Sequence, residues 1–125
     1  MSPTITATMA ATDNTVTAVL EAHNFVVTAV KNGVEGLREV MAMDFDVIIC
    51  DMLMPGMPGD MFYIAVQRVK PHLCQRFVFV TGHGGNPKVT EFLDKADGLI
   101  MHKPVGPEAL LETISWALQR GRRAS

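Results

Sequence analysis

The sequence predicts an α/β protein, a parallel sheet of five strands wound with helices, and three observations carry that reading. Apolar runs of strand length alternate with stretches of helical period five times along the chain. That alternation means helical crossovers, since parallel strands cannot be joined by a tight turn. Two runs, Val47-Ile48-Ile49-Cys50 and Phe77-Val78-Phe79-Val80, are apolar at every position instead of every second one, the pattern of a central strand covered on both faces. Asn32-Gly33, Asn86-Pro87 and Gly106-Pro107 then stand where helices should begin.

In chain order the strands are expected at residues 4–8, 25–29, 46–50, 77–80 and 98–101. Val16, Val19, Leu20 and His23 recur at helical spacing and give a first helix, capped by Thr12 or Asp13. Val34, Leu37, Val40 and Met41 give a second, entered through Asn32-Gly33. Phe62, Ala65, Val66 and Val69 give a third, ending before Pro71 because proline disfavours helical geometry in the preceding residue. A fourth opens with Asn86 as cap and Pro87 in the first helical position, and carries Val89, Phe92, Leu93 and Ala96. A fifth follows Gly106-Pro107 with Leu110, Leu111, Ile114, Ala117 and Leu118 inward, until Gly121 stops it. The chain therefore reads (βα)5.

The 125 residues suit one domain spanning 1–125, and 48% hydrophobic with 19% charged residues is a globular balance. A net charge of -2 gives no reason to expect nucleic acid. Arg120, Arg122 and Arg123 are read as favouring the last turn of a helix. Cys50 and Cys74 lie far apart with no CxxC spacing, so both are expected as reduced thiols in a cytoplasmic protein. No stretch reaches the roughly 18 apolar residues needed to span a membrane, and no targeting segment is visible.

Open α/β sheets place their chemistry at the carboxyl ends of the strands. There the sequence offers Asp51 after the third run, Thr81 after the fourth and Lys103 after the fifth. A carboxylate, a hydroxyl and an ammonium suit phosphoryl transfer to the carboxylate, with the other two stabilising the transferring oxygens. In this order, VIICDMLMPGMPGD, FVFVTG and KP resemble the response-regulator receiver family of two-component phosphorelay signalling, over essentially the whole chain. The resemblance implies a doubly wound, flavodoxin-like sheet in the order 2-1-3-4-5. It implies Asp51 as phosphoacceptor, supplied by a sensor histidine kinase or histidine phosphotransfer protein. Thr81 is then the switch hydroxyl, and Lys103, followed by a cis peptide to Pro104, pairs with the carboxylate or its phosphate. The last two helices would pass the state to a downstream protein partner, with no catalysis beyond slow self-phosphorylation and dephosphorylation. PGMPGD and TGH look most like receivers of hybrid sensor kinases.

The sequence also departs from that pattern. The acidic pair that holds Mg2+ in the family falls on Ala7 and Thr8, and the nearest carboxylate, Asp13, is read as a helix cap. Asp51 and the Leu53 backbone carbonyl are left as metal ligands, so Mg2+ is expected to bind weakly or not at all. Lys103 becomes the natural partner of Asp51, within about 4 Å. The family's mobile aromatic three residues before the lysine is Ile100, which is stiff at χ1. These departures support an alternative, a pseudo-receiver that binds protein without phosphorylation. Leu53 stands where an aspartate-nucleophile phosphatase needs a general acid, and residues 7–11 lack the glycine of a nucleotide loop. His23, His72, His83 and His102 show no ligand spacing. Met52, Met54, Met57 and Met61 read as gap fillers, and Trp116, off the inward stripe of the last helix, is a candidate interface anchor beside the plainer reading of a side chain exposed on the helix surface.

Overall fold

The structure, a computed structural model, describes residues 4–8, 14–52, 57–82 and 87–124. Strands β1 (Thr4–Thr8), β2 (Val26–Val30), β3 (Val47–Asp51), β4 (Phe77–Thr81) and β5 (Leu99–His102) form one sheet in the order β2-β1-β3-β4-β5. Every ladder in it is parallel. Helices α1 (Asn14–Ala22), α2 (Gly33–Ala42), α3 (Gly59–Val69), α4 (Pro87–Lys95) and α5 (Pro107–Ala124) connect and follow the strands. The fold class and strand order are those expected. β3 and β4 each run one residue further than anticipated, so Asp51 and Thr81 are the last residues of strands and inherit the sheet's rigidity.

The alternation of side chains along β3 and β4 explains why every position there is apolar. Ile48, Cys50, Phe77 and Phe79 enter one core with Val40, Phe62, Tyr63, Val66 and Leu93 of α2, α3 and α4. Val47, Ile49, Val78 and Val80 enter a second with Val16, Leu20, Leu110, Ile114 and Ala117 of α1 and α5. Each face of the sheet is thereby covered by its own helices, and the central strands have no polar side to show.

Local chemistry sets the helix ends. Asn32 caps α2 by accepting from the Glu35 amide at 2.9 Å, and the Glu35 carboxylate accepts from the Lys31 amide at 2.9 Å, satisfying two donors around the first turn. α1 closes with paired bonds, Asn24 N to Glu21 O and Phe25 N to Leu20 O, both 3.1 Å. Asn24 sits between them at φ 67, a left-handed conformation that asparagine tolerates. α3 ends at Val69 before Pro71, as expected, and the chain goes on as a 3-10 helix, Pro71–Arg76, that buries Leu73 and Cys74.

Several expected details are corrected. His23 lies past the end of α1 and is exposed, with Nδ1 2.9 Å from the Val19 carbonyl. The buried face of α2 is Gly33, Gly36 and Val40, whereas Val34 and Met41 face solvent. Gly33 lets that side approach its neighbours: a Cβ there would fall 2.8 Å from the Met57 Cβ. Val69 is exposed, because Leu73 of the 3-10 helix fills the core below α3. Gly121 does not stop α5, which continues to Ala124; glycine costs a helix only about 1 kcal/mol against alanine, and Arg122 and Arg123 are good helix formers. Thr12, Asp13 and Asn86, proposed as caps, lie outside the described residues.

Candidate functional site

β3 delivers Asp51 to the carboxyl edge of the sheet with 2% of its surface exposed, the one buried charged residue among those described. A carboxylate at that depth needs a counter-charge, because desolvating an unpaired ion costs several kcal/mol. Lys103 supplies it: Nζ donates to Asp51 Oδ2 at 2.8 Å. The Lys103 side chain stays 40% exposed, so the pair is only partly withdrawn from solvent.

Backbone register places this pair. Asp51 is aligned with Val80, and Thr81, the next residue of β4, is aligned with His102. The Lys103 amide donates to the Thr81 carbonyl at 2.8 Å, holding the exit of β5 against the end of β4. The Lys103-Pro104 peptide is cis, as the resemblance implied. On the other side the Met52 amide donates to Val80 O at 3.0 Å and the Gly59 amide to Met52 O at 3.4 Å. A Cβ on Gly59 would lie 3.0 Å from the Met52 Cα and 3.1 Å from the Asp51 carbonyl. Glycine there lets α3 start directly against the strand end, a positioning role that sequence reading missed although Pro58-Gly59 at a helix start was visible.

The structure thus joins Asp51 and Lys103 directly and sets Thr81, half-buried, on the adjoining strand end. Leu53 and its carbonyl lie outside the described residues, as do Met54 and His83. Met52 is buried, Met57 packs against the core, and Met61 and Trp116 are exposed. Ile100 is 42% exposed on β5.

A divalent cation would be held beside Asp51 by neighbouring carboxylates. Ala7 and Thr8 end β1 in register with Ile49 and Cys50, so the strand nearest the Asp51 end of β3 contributes no acid there. Among the described residues no group of three or more His, Cys, Asp or Glu is gathered. These residues do not fit a strong Mg2+ site, because Mg2+ sheds water reluctantly and relies on carboxylates or phosphate to replace it. Asp51 and Lys103 already sum to zero charge.

Comparison with known proteins places this geometry. A family model described as the response regulator receiver domain matches residues 9–115. The transcriptional regulatory protein GlrR of Escherichia coli K12 is 27% identical over 106 residues, covering 85% of this chain and 23% of that protein. The chain therefore spans under a quarter of that curated relative. Among solved structures, a CheY-like receiver domain protein of Methanospirillum hungatei superposes over the whole of both chains with a TM-score of 0.88 at 23% identity. The receiver domain of the sensor histidine kinase PA1611 of Pseudomonas aeruginosa, solved with magnesium coordinated in its active site cleft, gives 0.85 at 16% identity, covering 95% of this chain and 99% of that one.

Proposed function

Because the chain belongs to the response regulator receiver family of two-component signalling, we propose that Asp51 accepts a phosphoryl group from a histidine kinase or a histidine phosphotransfer protein. The observation that carries this reading is the buried Asp51 carboxylate held 2.8 Å from Lys103 at the carboxyl edge of the sheet. A carboxylate oxygen attacks phosphorus, the donor bond breaks, and an acyl phosphate forms. Lys103 shifts its ammonium onto the incoming phosphoryl oxygens, and the Thr81 hydroxyl donates to another. Mg2+ is a weak participant or none, since Ala7 and Thr8 replace the acidic pair. The domain is a phosphorylated signalling element and no enzyme beyond slow self-phosphorylation and dephosphorylation. It works in the cytoplasm and contacts a downstream protein through α4 and α5, where Trp116 is 57% exposed.

One observation favours a second reading: the non-acidic end of β1 suits a pseudo-receiver that binds its partner without phosphorylation. Incubation with acetyl phosphate, or with a phosphorylated histidine phosphotransfer protein, separates the two. The expected result is the intact-mass increment of a single phosphoryl group, lost in Asp51→Asn. No increment from either donor supports the pseudo-receiver.

A further inference from the structure

The charge balance of the site carries a conclusion about its chemistry. A pocket of three carboxylates and one lysine has a net charge of minus two, which a divalent cation neutralises. Here the end of β1 contributes Ala7 and Thr8, and the carboxylate of Asp51 accepts from Lys103 at 2.8 Å. Among the described residues the site's charges, Asp51 and Lys103, cancel, and a divalent ion entering beside them would surrender hydration for one carboxylate that already accepts from an ammonium. Nor is Lys103 a distant surface charge: its amide is bonded to Thr81 O at 2.8 Å, so its side chain leaves from a fixed point beside the strand end.

Resting on the phosphoacceptor reading above, we infer that Lys103 is the resident cation of this site and that Asp51 takes its phosphoryl group without a divalent metal ion. With acetyl phosphate as donor the step balances without proton movement. An Asp51 oxygen forms the new P–O bond, the bond between phosphorus and the acetyl oxygen breaks, and acetate leaves with that electron pair. The single negative charge of Asp51 and the two of the donor become the two of the acyl phosphate and the one of acetate. Lys103 stays protonated throughout and follows the charge from the carboxylate to the phosphoryl oxygens.

The test follows the rate of the intact-mass increment with acetyl phosphate, in chelator-treated buffer and again with millimolar Mg2+. The two rates are expected to agree within about twofold, a difference too small to reflect loss of a transition-state contact. Lys103→Met is expected to slow labelling about a hundredfold, the scale of removing one preorganised electrostatic partner. Lys103→Ala should be equally slow and partly restored by added ethylammonium, a recovery that a purely structural lysine would not show. Should either variant fail to fold, the Mg2+ comparison on the unaltered chain decides alone. Labelling of Asp51 that needs Mg2+ overturns the inference and leaves the phosphoacceptor reading standing, as does labelling of Lys103→Met at the unaltered rate. No labelling of the unaltered chain by acetyl phosphate in either buffer overturns the inference, and the phosphoacceptor reading falls with it when a phosphorylated histidine phosphotransfer protein also leaves Asp51 unlabelled.

Discussion

Asp51 and Lys103 lie 52 positions apart in sequence and 2.8 Å apart in space, and the pair should declare itself in stability as well as chemistry. Lys103→Met strands a buried carboxylate and is expected to lower unfolding free energy by about 2 kcal/mol, short of the 3–5 of a fully buried pair because the lysine is partly solvated. Adding Asp51→Asn should recover most of that loss, a coupling that a double-mutant cycle in denaturant measures. The two residues were legible because apolar strands announce their own ends, and the polar residue just past each end stands out. Gly59 was not, since its role depends on the close approach of a helix that only three dimensions reveal. Cys50 and Cys74 are buried and form no disulfide. Burial raises the Cys74 pKa, against a hydrogen bond with Tyr63 that lowers it. Alkylation of Cys74 in the native protein at neutral pH is expected to be slow and to become rapid on unfolding, as peptide mapping of alkylated protein would show.

Elements were easier to locate than to orient. The period of α2 is visible in the sequence, but it turns Val34 and Met41 inward where Gly33 and Gly36 are the buried residues, because hydrophobicity patterns cannot register a face made by glycine. Gly121 reads in the sequence as the end of α5, but a glycine stops a helix only where the chain turns left-handed, and α5 runs on to Ala124. Gly121→Ala is accordingly expected to raise stability by about 0.5–1 kcal/mol in thermal or chemical melts. Gly98 behaves oppositely: an added Cβ would meet the Phe79 ring at 2.4 Å and the Phe77 carbonyl at 3.0 Å. Phe79 is held by Tyr63, Phe77 and Phe92 at ring separations of 5.3–5.6 Å, so it cannot give way cheaply. Gly98→Ala is expected to cost about 1–3 kcal/mol, the range of overpacked cores, in the same measurement.

Across the whole molecule the two ends of the sheet do different work. At the end away from Asp51, Asp44 lies 3.5 Å from Lys70 and 3.3 Å from His72, and Arg76 donates to the Phe45 carbonyl at 2.9 Å, bracing the 3-10 helix against the entry to β3. Burial pushes the Asp44 carboxyl up, but the hydrogen bond and charge of His72 and then of Lys70 outweigh it, so its pKa falls below the ordinary carboxylate value. A folded-state pKa below the unfolded one contributes stability that is present above about pH 4 and disappears as pH drops through the folded value. The stability difference between the unaltered chain and Asp44→Asn is expected to shrink on acidification below that range, as urea titrations at stepped pH would show. The five-stranded parallel architecture was legible throughout, because alternation, continuous strands and helix-start signals agree. What the sequence could not settle was whether a site with Ala7 and Thr8 in place of acids still reacts. Borohydride reduction of the protein after exposure to acetyl phosphate, followed by peptide sequencing, asks that most directly, because an aspartyl phosphate is converted to homoserine. Homoserine at position 51 in chelator-treated protein is the expected result, and unmodified Asp51 after that treatment, or homoserine at another aspartate in its place, would contradict it.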